Sequence, residues 1–169
     1  KKNLKNKMKI LITGAAGFIG FSLSKRILDH KSNIRIYGID SLNSYYSSKL
    51  KKKRLEILKK YKNFKFQKLD FSNKKKLDTF LNKTKIDLVV NLAAQAGVRY
   101  SLSNPEEYVY SNQLGFFNIL EFCRKKKIRL IYASSSSVYG EYKKFPTKEW
   151  QSLNPKNIYS ATKLGNEIF

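Results

Sequence analysis

The chain has 169 residues, of which 41% are hydrophobic and 28% charged, so it can bury a core of its own and is not a disordered tail. One cysteine, Cys123, and one histidine, His30, exclude a disulfide framework and supply no metal-ligand set, and no apolar run reaches the ~18–20 residues of a membrane span. The formal net charge of +23 fits a polyanion partner or a lysine-rich solvated surface; the lysines are scattered over every segment, so no nucleic-acid partner is expected.

KKNLKNK, at 1–7, reads as a basic extension, and 8–169 as one domain. KILITG (9–14) predicts a strand and FIGFSLSKRILDH (18–30) a helix with apolar residues at helical spacing. Between them TGAAGFIG sets glycines at 14, 17 and 20. Gly14 suits a tight turn, Gly17 a close approach by a pyrophosphate, and Gly20 a helix lying near the sheet. Free amides at the helix start, at Phe18 and Ile19, favour a diphosphate. Glycines kept for packing alone are the bland alternative. Against it, the triplet follows a strand, opens a helix and precedes an acid at the next strand end.

That acid is Asp40, closing NIRIYGID (33–40). It is placed to accept hydrogen bonds from the adenosine ribose, and Ser41 rather than arginine follows it. NAD is therefore the expected cofactor rather than NADP. Leu50, Leu55, Ile57 and Leu58 among lysines predict an exposed helix over 49–60, packed by one face. FKFQKLD (64–70) is a third strand. Asp70, with Phe71 after it, either meets the adenine or caps the short helix around 77–81. IDLVVNLAA (86–94) reads as a buried central strand whose end, Leu92, Ala93 and Ala94, lies where a cofactor would.

Pro105 after Asn104 starts a helix running to about 125. IRLIYAS (128–134) is the fifth strand, and a last helix opens at 157 or 158. The alternation predicts an α/β, Rossmann-like doubly wound parallel sheet. The fifth strand runs into four serines, IYASSSSVYG (131–140), and serine is a poor strand former. The hydroxyls either bond their own backbone in a polar loop or line a substrate site at the carboxyl end of a parallel strand. YSATK then sets Tyr159 and Lys163 on one helix face. A phenol with a pKa near ~10 is a poor base. A neighbouring ammonium lowers that value and leaves a phenolate able to take a hydroxyl proton.

KILITGAAGFIG, NLAAQAGVRYSLSNP, YASSSSVYG and YSATK together resemble the extended short-chain dehydrogenase/reductases, NAD-dependent enzymes acting on nucleotide sugars. Among these, the chain is most similar to the UDP-glucuronate 4-epimerases. The resemblance implies inversion at C4 of UDP-glucuronate, to UDP-galacturonate, through a 4-keto intermediate. Tyr159 would be the base, Lys163 would hold the nicotinamide ribose and tune Tyr159, and Ser135 would bond the reacting hydroxyl. Ser136 and Ser137 would bind the substrate carboxylate as neutral donors, without a buried cation that encourages decarboxylation. Arg99 is a second carboxylate or phosphate ligand, or else part of an ion pair. Asn112 lies near substrate or cofactor, or caps local backbone.

The same resemblance implies a cytoplasmic protein without a membrane partner, and a homodimer formed through helices near 105–125 and 157–169. The rival functions are UDP-glucuronate decarboxylase, a 4,6-dehydratase and a non-catalytic NAD-binding remnant. Dehydratases carry an Asp-Glu pair where Ser136 and Ser137 stand. Family members run to about double this length, so later strands and a C-terminal substrate domain are expected to be missing. Weak or no activity is then expected of this piece alone, with apolar edges prone to association.

Overall fold

The computed structural model describes residues 7–141 and 146–169, so the basic extension lies outside the described residues except for Lys7. Its strands are β1 (Met8–Thr13), β2 (Ile34–Asp40), β3 (Phe64–Lys68), β4 (Leu88–Asn91) and β5 (Arg129–Tyr132). Its helices are α1 (Phe18–His30), α2 (Ser48–Lys59), α3 (Lys74–Asn82), α4 (Val98–Ser103), α5 (Pro105–Tyr108), α6 (Phe116–Lys126) and α7 (Ile158–Ile168).

All strand pairs are parallel, and the sheet order is β3-β2-β1-β4-β5. The chain moves outward from β1 to β3 and then crosses back to β4 on the other side of β1. The two halves diverge between β1 and β4, which opens a crevice at their carboxyl ends. The expected doubly wound α/β sheet is thus the one observed.

Two-residue periodicity in β1 divides the core. Ile10 and Ile12 face Ala16, Ile36, Leu55 and Leu58, a cluster that α1 and α2 cover. Leu11 faces the opposite way, into Ile39, Leu77, Leu81, Val89, Ile119 and Cys123, under α3 and α6. Leu11 and Ile12 are fully buried, worth roughly 1.5–3 kcal/mol each. The sheet edges differ: β3 exposes Lys65, Gln67 and Lys68, charged and polar groups that discourage strand addition, whereas β5 exposes Ile131 and Tyr132.

Three features depart from expectation. The helix expected over 105–125 contains π-helical turns at Val109–Gly115 between α5 and α6. There Gly115 meets the Phe71 ring, and a Cβ would lie 2.9 Å from that ring. α4 was not anticipated. On α2 the buried series is Lys51, Leu55 and Leu58, while Leu50 and Ile57 are exposed. No helix among the described residues is long and apolar enough to cross a membrane. No group of three or more His, Cys, Asp or Glu gathers among those residues either.

Candidate active site

The glycine turn is built by close backbone contacts. Gly14 has φ +66, and a Cβ on it would lie 2.9 Å from the Ala93 nitrogen. A side chain would therefore push the turn away from the chain leaving β4. Gly17 donates to the Gly14 carbonyl (2.9 Å) and then precedes α1, whose first amides no side chain caps. Thr13 ties the two strands of the crevice together. Its hydroxyl donates to Asn91 Oδ1 (2.7 Å) and accepts from the amides of Leu92 (3.0 Å) and Ala93 (2.9 Å). Those amides have left the sheet ladder, so β4 stops at Asn91 rather than at the expected 94.

Asp40 holds the rim opposite. Its Oδ2 accepts from Ala16 N (3.0 Å) and its Oδ1 from Leu42 N (2.8 Å), which fixes the carboxylate while leaving lone pairs for a further donor. Gly14, Gly17, Asp40, Phe71, Leu92, Ala93 and Ala94 all line one cleft of about 140 Å³. Phe18 and Ile19 stand exposed at the uncapped start of α1, and Gly20 lies beneath the turn.

Asp70 is outside this cleft. It accepts from Ser72 N (2.9 Å) and Ser72 Oγ (2.7 Å) and lines a neighbouring recess that shares Ser41 and Leu69 with the cleft. It does not cap α3; Asn73 does, accepting from Lys76 N.

Sequence reasoning missed Lys51. This lysine is buried and donates to Asn43 O (2.8 Å) and Asn43 Oδ1 (2.7 Å), with its ammonium 4.3 Å from the centre of the Tyr46 ring. Burial pushes its pKa down, while the nearby Asp40 pulls it up. The signal was the series 51, 55, 58: a lysine on the apolar face of its own helix.

The other side of the crevice is set by α7. Asn157 accepts from Ser160 N (2.9 Å), and Ser160 Oγ accepts from Asn157 N (3.2 Å) in a reciprocal cap that fixes the helix phase. Lys163 is then buried, donating to Ala133 O (2.7 Å) just beyond β5. Ala133 N in turn donates to Asn91 O (3.3 Å), so the ammonium sits at the carboxyl ends of β4 and β5. Burial lowers the Lys163 pKa. The half-buried Tyr159 ring meets Tyr108 edge to face, with centroids 6.1 Å apart.

Tyr108 is fully buried and its single hydroxyl proton is shared between the carbonyls of Ala96 (2.8 Å) and Gly97 (2.5 Å). Burial pushes its pKa up from 10.0 to about 12. A pKa raised by folding adds stability that is complete below the ordinary value and lost as pH rises through the folded one. Tyr108→Phe is expected to cost about 1–2 kcal/mol at neutral pH through the two lost partners. The deficit should shrink between pH 10 and about 12, as the wild type alone forfeits this contribution. Urea unfolding at both ends of that range checks it, and a pH-independent difference would count against it.

The four serines divide their roles. Ser134 bonds the Glu167 carboxylate on α7. Ser135 caps a single 3-10 turn, Ser136–Tyr139, accepting from Ser137 N (3.3 Å) and Ser137 Oγ (2.9 Å). Ser136 is exposed. Part of the polar-loop reading therefore holds, yet Ser135 and Ser137 follow directly on the carbonyl that Lys163 grips.

Asn112 is buried, with its amide engaged by the protein. Its Oδ1 accepts from Gln95 N (2.7 Å), and its Nδ2 donates to Gln95 O (3.0 Å) and Thr162 Oγ1 (3.1 Å). That is the backbone-capping alternative. Arg99 is exposed on α4 and forms no ion pair among the described residues.

A turn with glycines at 14 and 17, an uncapped helix start and a carboxylate at the second strand fit a dinucleotide. Beyond them, the Lys163 ammonium stands at the ends of β4 and β5, with Ser135 two residues past the carbonyl it holds and Tyr159 one turn earlier on α7.

Comparison with known proteins agrees with this geometry. The sequence model of the family described as GDP-mannose 4,6 dehydratase matches residues 11–169. An uncharacterised protein of Methanocaldococcus jannaschii is 52% identical over 161 residues, 94% of this chain and 49% of the relative. A UDP-glucuronate 4-epimerase of Thermodesulfobacterium geofontis is 40% identical over 159 residues, 94% of this chain and 49% of the relative. Among solved structures, UDP-glucuronic acid 4-epimerase of Bacillus cereus, in complex with UDP-glucuronic acid and NAD, is 36% identical with a TM-score of 0.85. That match covers 95% of this chain and 50% of the other. The chain thus spans about half the length of the relatives it matches.

Proposed function

We propose, from the premise that this chain belongs to the GDP-mannose 4,6 dehydratase family, that it is the cofactor-binding and acid–base portion of an NAD-dependent 4-epimerase acting on UDP-glucuronate. The observation that carries this reading is the Lys163 ammonium on the Ala133 carbonyl. Lys163 stands one helical turn from Tyr159 on α7, and the carbonyl it holds is two residues before Ser135.

Gly14, Gly17 and the first amides of α1 would hold the diphosphate, and Asp40 the adenosine ribose. NAD bound there supplies a reversible hydride acceptor, the chemistry that inversion of a carbinol centre requires. Tyr159 takes the C4 hydroxyl proton as that carbon becomes a ketone and returns it when the alcohol reforms on the opposite face. Lys163 would hold the nicotinamide ribose. Ser135 holds the reacting oxygen, and Ser136 with Ser137 receives the carboxylate through neutral donors once Ser137 releases the Ser135 oxygen to which its N–H and hydroxyl donate. Dehydration across C5 and C6 needs an acid–base pair next to Ser135. The two serines there offer none.

The test is conversion of UDP-glucuronate by the protein with NAD, with products separated by chromatography. UDP-galacturonate is the expected product, formed slowly because the chain spans about half the length of the relatives it matches. Joint Ser136→Ala and Ser137→Ala replacement should raise KM for UDP-glucuronate about tenfold, the scale of one or two hydrogen bonds to a charged group, with less effect on kcat. A decarboxylated or dehydrated product, or an unchanged KM, would overturn the assignment.

A further inference from the structure

Two loops meet across the crevice. The loop after β2 brings Asn43 Nδ2 to Gln95 Oε1 (3.3 Å), on the loop after β4. Beside this bridge the Tyr45 ring lies on Tyr100, with centroids 4.8 Å apart and planes at 54°. The Tyr45 hydroxyl also rests against Gly97, where a Cβ would come within 2.3 Å of it.

Each side is anchored in rigid structure. Buried Lys51 on α2 holds Asn43, and Asn112 holds both the N–H and the C=O of Gln95. Each loop also turns through a left-handed residue: Leu42 at φ 55 and Gly97 at φ 97. A leucine in that region is strained, and such strain concentrates where segments switch. The Leu42 amide is itself held by Asp40, so the foot of one loop rests on a carboxylate at the rim of the cleft.

Below the bridge the cleft measures about 140 Å³. Sites that enclose small-molecule ligands measure roughly 300–1,000 Å³. Asn43, Tyr45 and Gln95 all line that cleft, so a dinucleotide seated in it would lie against the bridge.

We propose that Asn43 and Tyr45 on one loop, with Gln95 and Tyr100 on the other, form a clasp over the cofactor crevice that must part for NAD to enter or leave. The clasp sets the rate of cofactor exchange. This rests on the reading that NAD occupies the cleft, and it adds a purpose: a reaction that takes a hydride and gives it back needs its cofactor kept in place between the two transfers. Tyr100 does not line the cleft. Its effect on exchange therefore passes through Tyr45.

The experiment measures association and dissociation of etheno-NAD on the full chain by stopped-flow fluorescence. Tyr100→Ala is expected to speed both rates about tenfold, the scale of one lost aromatic pair. Tyr45→Ala should do the same, and the double variant no more than either alone. Tyr100→Leu keeps the packing volume without the ring and gives the same readout if the alanine variant folds poorly. Rates within about twofold of wild type in folded Tyr100 variants, or additive effects in the double variant, would overturn the clasp alone. Failure of the wild-type chain to bind NAD would overturn the functional reading and the clasp together.

Discussion

Replacing Tyr159 with phenylalanine is expected to lower C4 inversion about 10²–10⁴-fold, the range for loss of a positioned general base. NAD affinity should barely change. The substitution keeps the ring and its edge-to-face contact with Tyr108, 6.1 Å between centroids, so α7 stays where it is. Only the hydroxyl is removed. Lys163 would still donate to Ala133 and the cleft around Gly14 and Asp40 would be intact, so a loss confined to turnover identifies the phenol as a reacting group.

The pH profile adds a second readout. Because burial lowers the Lys163 pKa, its positive charge disappears at a lower pH than that of an exposed lysine. If turnover needs the charged ammonium, the alkaline limb of the rate should lie below the ordinary lysine value of 10.5. Initial rates across pH, with NAD titrations run in parallel, decide the matter. Retention of more than about a tenth of the activity by Tyr159→Phe would remove it from the chemistry.

Gly20→Ala is expected to be strongly destabilising. A Cβ there would lie 2.2 Å from the Gly14 carbonyl oxygen, 2.8 Å from the Gly14 carbonyl carbon and 3.1 Å from the Ala15 Cα. All three are backbone atoms, so no side-chain rotation relieves the contact. Alanine gains about 1 kcal/mol over glycine in a helix interior. Overpacking against an unyielding neighbour costs up to about 3 kcal/mol or more. The net loss of about 2 kcal/mol corresponds to about 4–8 °C in Tm for a domain of this size. NAD affinity should fall with it, because α1 moves off the turn that shapes the diphosphate site. Gly165→Ala is the control: its Cβ would meet only the Gln113 side-chain amide, at 3.0 Å, which can shift. Thermal melts and NAD titration of both variants test the pair. A Gly20→Ala melting point at or above wild type would refute the steric account.

The parts of this protein legible in its residues are those decided within a few positions of each other. Apolar runs place each of the five strands within a few residues of its observed position, because a strand between two layers must be apolar whatever its neighbours are. Gly14, Gly17, Gly20 and Asp40 are readable because one strand-turn-helix-strand unit contains them all. Tyr159 and Lys163 share a face by helical spacing alone.

What the sequence alone left open depends on partners far along the chain. The early end of β4 follows from Thr13, whose hydroxyl captures amides at 92 and 93. Lys51 shares the apolar face of α2, but only folding brings the Asn43 and Tyr46 partners that let an ammonium be buried there. Asp70, which the sequence offers as an adenine contact or a helix cap, does not cap α3, because the chain enters that helix at Asn73. The serine quartet has four chemically equal hydroxyls, and their roles separate only once α7 brings Glu167 to Ser134 and Lys163 to Ala133. Local composition thus determined the α/β layers and the motifs they carry. Tertiary structure decided which polar groups turn inward, because a buried donor or acceptor must find its partner wherever the fold provides one.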